Sequence, residues 1–156
     1  MLKKYYKNIK ILYVEDDEIA RENGIEYLEN YFELIYDASD AIKALQLYEK
    51  YKPDIIITDI QMPKLNGLEF VKRIRQKDKK TQVIIITAFS DKDYLLKAIE
   101  LGLVKYLVKP VREKEFEEAL FLCINALEKD ETNIIQLDEI TFFDTFNKKV
   151  LIINSL

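Results

Sequence analysis

A chain of 156 residues, 49% of them hydrophobic and 33% charged, can bury one good core and leaves little for a second complete domain. Its net charge of −4 provides no basic excess to neutralise a nucleic-acid backbone or to hold an anionic membrane surface, which argues against direct DNA or membrane binding by this stretch. With no histidine and three glycines, the chain has no imidazole to act as base, zinc ligand or phosphoryl carrier, and no glycine-rich nucleotide cradle.

The N-terminal MLKKYYKNIKILY lacks the long apolar stretch and cleavage site of a secretory signal, no run approaches a membrane span, and the lone Cys123 cannot form an internal disulfide. A cytoplasmic location is expected. Short β-branched runs then alternate with longer stretches that repeat apolar residues every three or four positions. In chain order these are Ile9 to Val14, an amphipathic segment from Glu18 to Tyr31, Leu34 to Tyr36, and a helix from Asp40 to Tyr51 after a Ser39 cap. Next come Ile55 to Thr58, Leu68 to Lys77, Val83 to Thr87, Asp91 to Leu101, Tyr106 to Val108 and Arg112 to Lys129. The runs III and VIII show no polar alternation, as expected for parallel strands covered on both faces. In the last helix Phe116, Ala119, Leu120, Cys123 and Leu127 share one face, making Cys123 a core residue. Five such units joined by right-handed crossovers predict an α/β fold, a three-layer doubly wound parallel sheet.

The domain is read as residues 1–129, with 130–156 as a linker and the start of a larger, truncated domain. In that tail, two β-prone runs surround Asn147-Lys148-Lys149, the pattern of a hairpin too small to fold alone.

Ligands of an open parallel sheet bind beyond the carboxyl ends of its strands. The first run exits into Glu15-Asp16-Asp17-Glu18, the third into Asp59, the fourth ends at Thr87, and the fifth exits into Lys109-Pro110. Taken singly, Asp16 and Asp17 suit a helix start, Asp59 a turn, Thr87 a satisfied strand hydroxyl and Lys109 a solvated surface. Taken together they form one edge. Converging carboxylates repel unless a cation joins them, and an all-oxygen cluster suits a hard ion, Mg²⁺. Asp59 then becomes a nucleophile for a phosphoryl group, Lys109 a fixed positive charge beside it, and Thr87 a hydroxyl able to sense the product.

The motifs ILYVEDD, IIITDIQMPKLNG, VIIITAF and KYLVKP, in this order and spacing, resemble the receiver domains of response regulators over about Ile9 to Lys129. That resemblance implies the flavodoxin-like strand order 2-1-3-4-5. It makes Asp59 the phosphoacceptor for a sensor histidine kinase, with Asp16, Asp17 and the Gln61 carbonyl joining it around Mg²⁺. Thr87 and Lys109 contact the phosphoryl group, and Tyr106 is the aromatic switch that turns inward with Thr87. Pro63, Asn66 and Gly67 match the family's loop after the acceptor, and Lys109-Pro110 matches a peptide that is usually cis. Gln61 and Phe89 occupy positions that tune decay of the acyl phosphate, and Phe89 is expected to shield it from water. Such a domain is a self-catalysing phosphoacceptor rather than a conventional enzyme.

The output expected is control of transcription through a changed surface on the fourth and fifth helices and fifth strand, which would also serve a homodimer. The tail resembles the opening strands of the winged-helix effector of OmpR/PhoB-type regulators, through which DNA would be bound. Val104-Lys105, and Glu115, Glu117 and Glu118, depart from the charges on which that class's dimer depends. Three rival readings meet obstacles in the same residues. A haloacid-dehalogenase-type phosphotransferase needs a second aspartate where Gln61 stands, and a flavodoxin-like cofactor binder needs a phosphate loop that the sequence lacks. A receiver acting without phosphorylation is opposed by the complete acidic, hydroxyl and lysine set.

Overall fold

Isoleucine and valine fill the middle of the molecule because the central strands are covered on both faces. All four residues of Ile55–Thr58 are buried, as are Val83, Ile84 and Ile85. The structure, a computed structural model, describes residues 4–88, 92–102 and 105–136. Its elements are β1 (Tyr6–Val14), α1 (Glu18–Glu29), β2 (Phe32–Ala38), α2 (Ala41–Tyr51) and β3 (Ile55–Thr58), then α3 (Gly67–Arg75), β4 (Gln82–Thr87), α4 (Lys92–Glu100), β5 (Lys105–Val108) and α5 (Glu113–Gln136). Phe89, Val104 and the tail hairpin expected around Asn147 lie outside the described residues.

The sheet is parallel throughout, in the order β2-β1-β3-β4-β5 expected from the resemblance. Leu12, Val14, Ile56, Val83 and Ile85 share one apolar cluster with Ala44 and Tyr48 of α2, Phe70 and Ile74 of α3, and Ala98 of α4. The alternate residues Ile11, Ile55, Ile57 and Ile84 are equally buried outside that cluster, so they face the opposite layer. There α1 and α5 meet: the Tyr27 and Phe116 rings lie 5.3 Å apart, and the Tyr31 hydroxyl donates to Glu117 at 3.0 Å. Each fully buried isoleucine contributes about 1.5–3 kcal/mol relative to exposure.

Polar residues set the helix starts. Asp17 accepts from the Ala20 N–H, Asp40 from Lys43 and Asn66 from Glu69, so α1, α2 and α3 each begin on an Asp or Asn cap. The α2 cap is Asp40, one residue beyond the Ser39 expected. Of the other boundaries, two shift most. β1 begins at Tyr6, ahead of an irregular register between Tyr6 and Lys10. α5 continues to Gln136, seven residues past the expected Lys129, because EKDETNIIQ contains neither proline nor glycine to stop it. The chain divides into two compact units, Met1–Ile124 and Asn125–Leu156, and the sheet lies in the first. Among the described residues no helix is long and apolar enough to cross a membrane.

Strand register decides what gathers at the carboxyl edge. Ala38, Val14, Thr58, Ile85 and Tyr106 form one continuous row across the five strands. From β1 the chain passes to β2 on one side and to β3 on the other, so a crevice opens beyond the ends of β1 and β3.

Candidate phosphorylation and metal site

Glu15 and Asp59 each stand one step past that row, on adjacent strands, and this places their carboxylates side by side. The Asp59 N–H donates to the Val14 carbonyl at 3.2 Å, and the Glu15 N–H donates to Ala38 at 3.1 Å, tying both exits to the strands beside them. Both side chains are buried, at 8% and 4% exposure, whereas Asp16 is open to solvent. Carboxylate oxygens of Glu15, Asp16 and Asp59 all lie within 4.8 Å of one another.

Lys109 supplies the opposing charge. Its ammonium donates to Asp59 Oδ2 at 2.8 Å and to Glu15 Oε1 at 3.2 Å, while Asp59 Oδ1 accepts from the Gln61 N–H at 3.2 Å. Burial disfavours the ammonium, but the hydrogen bonds and charges of Asp59 and Glu15 outweigh it and raise its pKa. Burial, reinforced by the Asp59 charge, pushes the Glu15 carboxyl well above the usual carboxylate range, against the pull of Lys109. The Lys109-Pro110 peptide is cis.

The cavity at this edge, about 780 Å³, is lined by these groups together with Asp17, Gln61, Asn66, Ala88 and Tyr94. Thr87 is fully buried, and its carbonyl accepts from the Lys109 N–H at 2.8 Å. Thr87 pairs with Val108 and Ile85 with Tyr106, so Tyr106 stands on the Thr87 face of the sheet, half-buried against the core. The loop after Asp59 approaches closely: the Gly67 N–H donates to Ile60 at 2.8 Å, and a Cβ on Gly67 would overlap the Asp59 carbonyl. Lys64 closes a three-residue turn at φ 72°, with the Leu65 N–H on the Pro63 carbonyl at 2.9 Å.

The structure therefore brings Asp16, Asp59, Gln61 and Lys109 together and sets Thr87 and Tyr106 on the neighbouring strands. Asp17 is a different matter. Its side chain caps α1, with Oδ1 2.8 Å from the Ala20 N–H, and Glu15 stands in the cluster where Asp17 is expected from the sequence. Counting outward from the strand row identifies Glu15; counting aspartates does not. Three oxygen donors of this kind, with an ammonium already balancing part of their charge, fit a hard divalent ion such as Mg²⁺. Cys123 is buried, and burial pushes its thiol up to about 12, in keeping with a core role.

The model of the response regulator receiver domain family matches residues 11–121. The chain is 34% identical over 121 residues to an uncharacterized response regulatory protein of Staphylococcus epidermidis, covering 76% of this chain and 47% of that protein. It is 34% identical over 114 residues to the transcriptional regulatory protein BtsR of Escherichia coli, covering 72% and 46%. The chain thus spans about half the length of the curated relatives it matches. Among solved structures, the N-terminal domain of an uncharacterized Wolinella succinogenes protein is 41% identical with a TM-score of 0.73, covering 78% of this chain and 98% of that one. A LuxR-family DNA-binding response regulator from Staphylococcus aureus gives 29% and 0.69, covering 74% and 98%. The matched span holds the whole carboxyl-edge cluster, and the chain belongs to the receiver-domain family of two-component response regulators, a family of signalling domains.

Proposed function

We propose that Asp59 accepts a phosphoryl group from the phosphohistidine of a sensor kinase in a Mg²⁺-dependent reaction. The observation that carries this is a buried carboxylate whose two oxygens are held by Lys109 and by the Gln61 N–H, beside Glu15 and Asp16. A bond forms from an Asp59 oxygen to phosphorus as the phosphorus–nitrogen bond breaks, leaving the electron pair on the kinase imidazole. Asp16, Asp59 and the Gln61 carbonyl would hold Mg²⁺, with Glu15 rather than Asp17 as the third acidic neighbour. Bound there, the ion supplies positive charge against the phosphoryl oxygens. Lys109 exchanges its carboxylate partner for a phosphoryl oxygen, and the Thr87 hydroxyl donates to another. That movement frees space on the Thr87 face for Tyr106 to turn inward.

The surface altered is that of α4, β5 and α5, where Leu95, Leu96, Ile99, Val108, Phe121 and Leu122 are exposed. It is the face for a homodimer or an output partner. Transcription is the output favoured, on the strength of the regulators to which the chain is similar, with DNA bound by an effector segment beyond this stretch. A cytoplasmic location accords with this role.

Incubation with acetyl phosphate and Mg²⁺, followed by intact mass, tests the chemistry. A single phosphoryl adduct is expected in the wild type, absent from Asp59→Asn and from metal-free samples. No adduct under any condition, with no binding of beryllofluoride, would replace this reading by that of a phosphorylation-independent binding module.

A further inference from the structure

We infer that Arg21, anchored by Asp37, is a positioning residue for the metal site: it holds the Glu15 carbonyl and so fixes the turn that carries Glu15 and Asp16 toward Asp59. The inference rests on the Mg²⁺-dependent reading above and deepens it. Arg21 Nη1 donates to the Glu15 carbonyl at 2.9 Å, and its Nε lies 3.3 Å from Asp37 Oδ2. The other side of the Glu15 residue is held too, since its N–H donates to Ala38 at 3.1 Å. Asp37 and Ala38 are the last two residues of β2, so the edge strand clamps Glu15 from both directions, once directly and once through Arg21.

The clamp has a physical purpose. Three carboxylates brought within 4.8 Å repel one another, and the turn bearing two of them would relax outward unless its backbone were fixed. Arg21 sits in α1, its N–H on the Asp17 carbonyl at 2.9 Å, so its backbone is set by the helix that Asp17 caps. A guanidinium can satisfy a carbonyl and a carboxylate in two fixed directions at once; an ammonium has no such fork. The side chain is 17% exposed against 43% for Asp37, so the contact to Glu15 lies at the inner end of the pair.

Charge and position predict opposite signs, which makes the role measurable. A cation beside a cation site weakens metal binding, so if Arg21 acted only by charge, removing it would tighten Mg²⁺ binding. As a positioning residue, its removal loosens the site.

Calorimetric Mg²⁺ titration of the full chain, with thermal melting of the metal-free protein alongside, separates these roles in Arg21→Gln, Arg21→Lys, Asp37→Asn and the Arg21→Gln/Asp37→Asn double variant. Arg21→Gln should weaken binding about tenfold, within the range of outer-shell losses around metals, and Arg21→Lys should behave like it despite its charge. Asp37→Asn should lose about threefold, as for a partly exposed ion pair, and the double variant should match Arg21→Gln within about twofold. Tighter or unchanged binding by Arg21→Gln, or a double variant restored to wild type, overturns the positioning role. Asp37→Asn alters a partly exposed carboxylate and keeps its size, so unchanged affinity in that variant counts against the anchor even if Arg21→Gln does not fold. Failure of the wild type to bind Mg²⁺ overturns this inference together with the reading beneath it; wild-type binding without any effect of these substitutions overturns this inference alone.

Discussion

A methyl group at position 67 has nowhere to go, because it would overlap the Asp59 carbonyl and press on Ile60 Cα. Gly67→Ala is therefore expected to cost about 1–3 kcal/mol in urea unfolding and to shift Asp59 enough to abolish the acetyl-phosphate adduct. Phosphorylation at the wild-type rate would show that the loop can yield. At Lys109, the charge balances two buried carboxylates, so Lys109→Gln should lower the melting temperature of the metal-free protein. Mg²⁺ should raise the melting temperature of this variant by more than that of the wild type, since the competing cation is gone. An equal rise in both would deny the competition. At this scale the sequence was informative wherever a residue follows a buried run directly: Asp59 and Lys109 are legible because IIIT and YLV end abruptly. The choice among Glu15, Asp16 and Asp17 was not. Four consecutive acids share the exit of β1, and which one turns inward depends on a strand register and a helix cap that composition does not reveal.

The α3–β4 connection depends on one carboxylate. Asp78 Oδ2 accepts from the Tyr48 and Thr81 hydroxyls, each at 2.6 Å, and Oδ1 accepts from the Lys80 and Thr81 N–H groups at 2.9 and 3.1 Å. Arg75 works beside it, donating to the Leu101 and Gly102 carbonyls at the end of α4 and to the Asp78 carbonyl. Burial raises the Asp78 pKa, but the Thr81, Tyr48 and Lys80 hydrogen bonds win and hold it far below the ordinary 3.8. A carboxyl lowered in the folded state contributes stability that is complete above its unfolded pKa and is lost as pH falls toward the folded one. Asp78→Asn should thus destabilise the protein by about 1–3 kcal/mol at pH 7 and flatten the loss of stability below about pH 4. Parallel acid-unfolding curves for wild type and variant would assign that loss to other carboxylates. Helices and central strands were legible from periodicity, whereas the edges were not. The opening YKNIK of β1 alternates too weakly to announce a strand, and α5 passes Lys129 because no stop residue intervenes.

At the scale of the molecule, the exposed leucines and isoleucine of α4 and the exposed Phe121 and Leu122 of α5 are among the apolar groups that folding leaves uncovered in the described residues. With beryllofluoride and Mg²⁺ in place, sedimentation velocity should show self-association, and Ile99→Glu should keep the protein monomeric while leaving the phosphoryl adduct intact. A monomer under both conditions would direct the search toward a different protein as partner. The fold class was legible from the sequence because a doubly wound sheet repeats one signal five times, and a repeated signal survives errors at any one boundary.

Glu15 and Lys109 stand 94 positions apart in the chain, which bears on biosynthesis. A growing chain exposes Glu15, Asp16 and Asp59 before Lys109, so the ammonium that pairs with Glu15 and Asp59 in the folded domain is the last of these four groups to emerge. Only when β5 has left the ribosome and taken its place at the sheet's edge does the ammonium reach Asp59. On the function proposed above, a chain interrupted anywhere before Lys109 would present the Asp59 carboxylate without the charge that balances it, and is expected to accept no phosphoryl group.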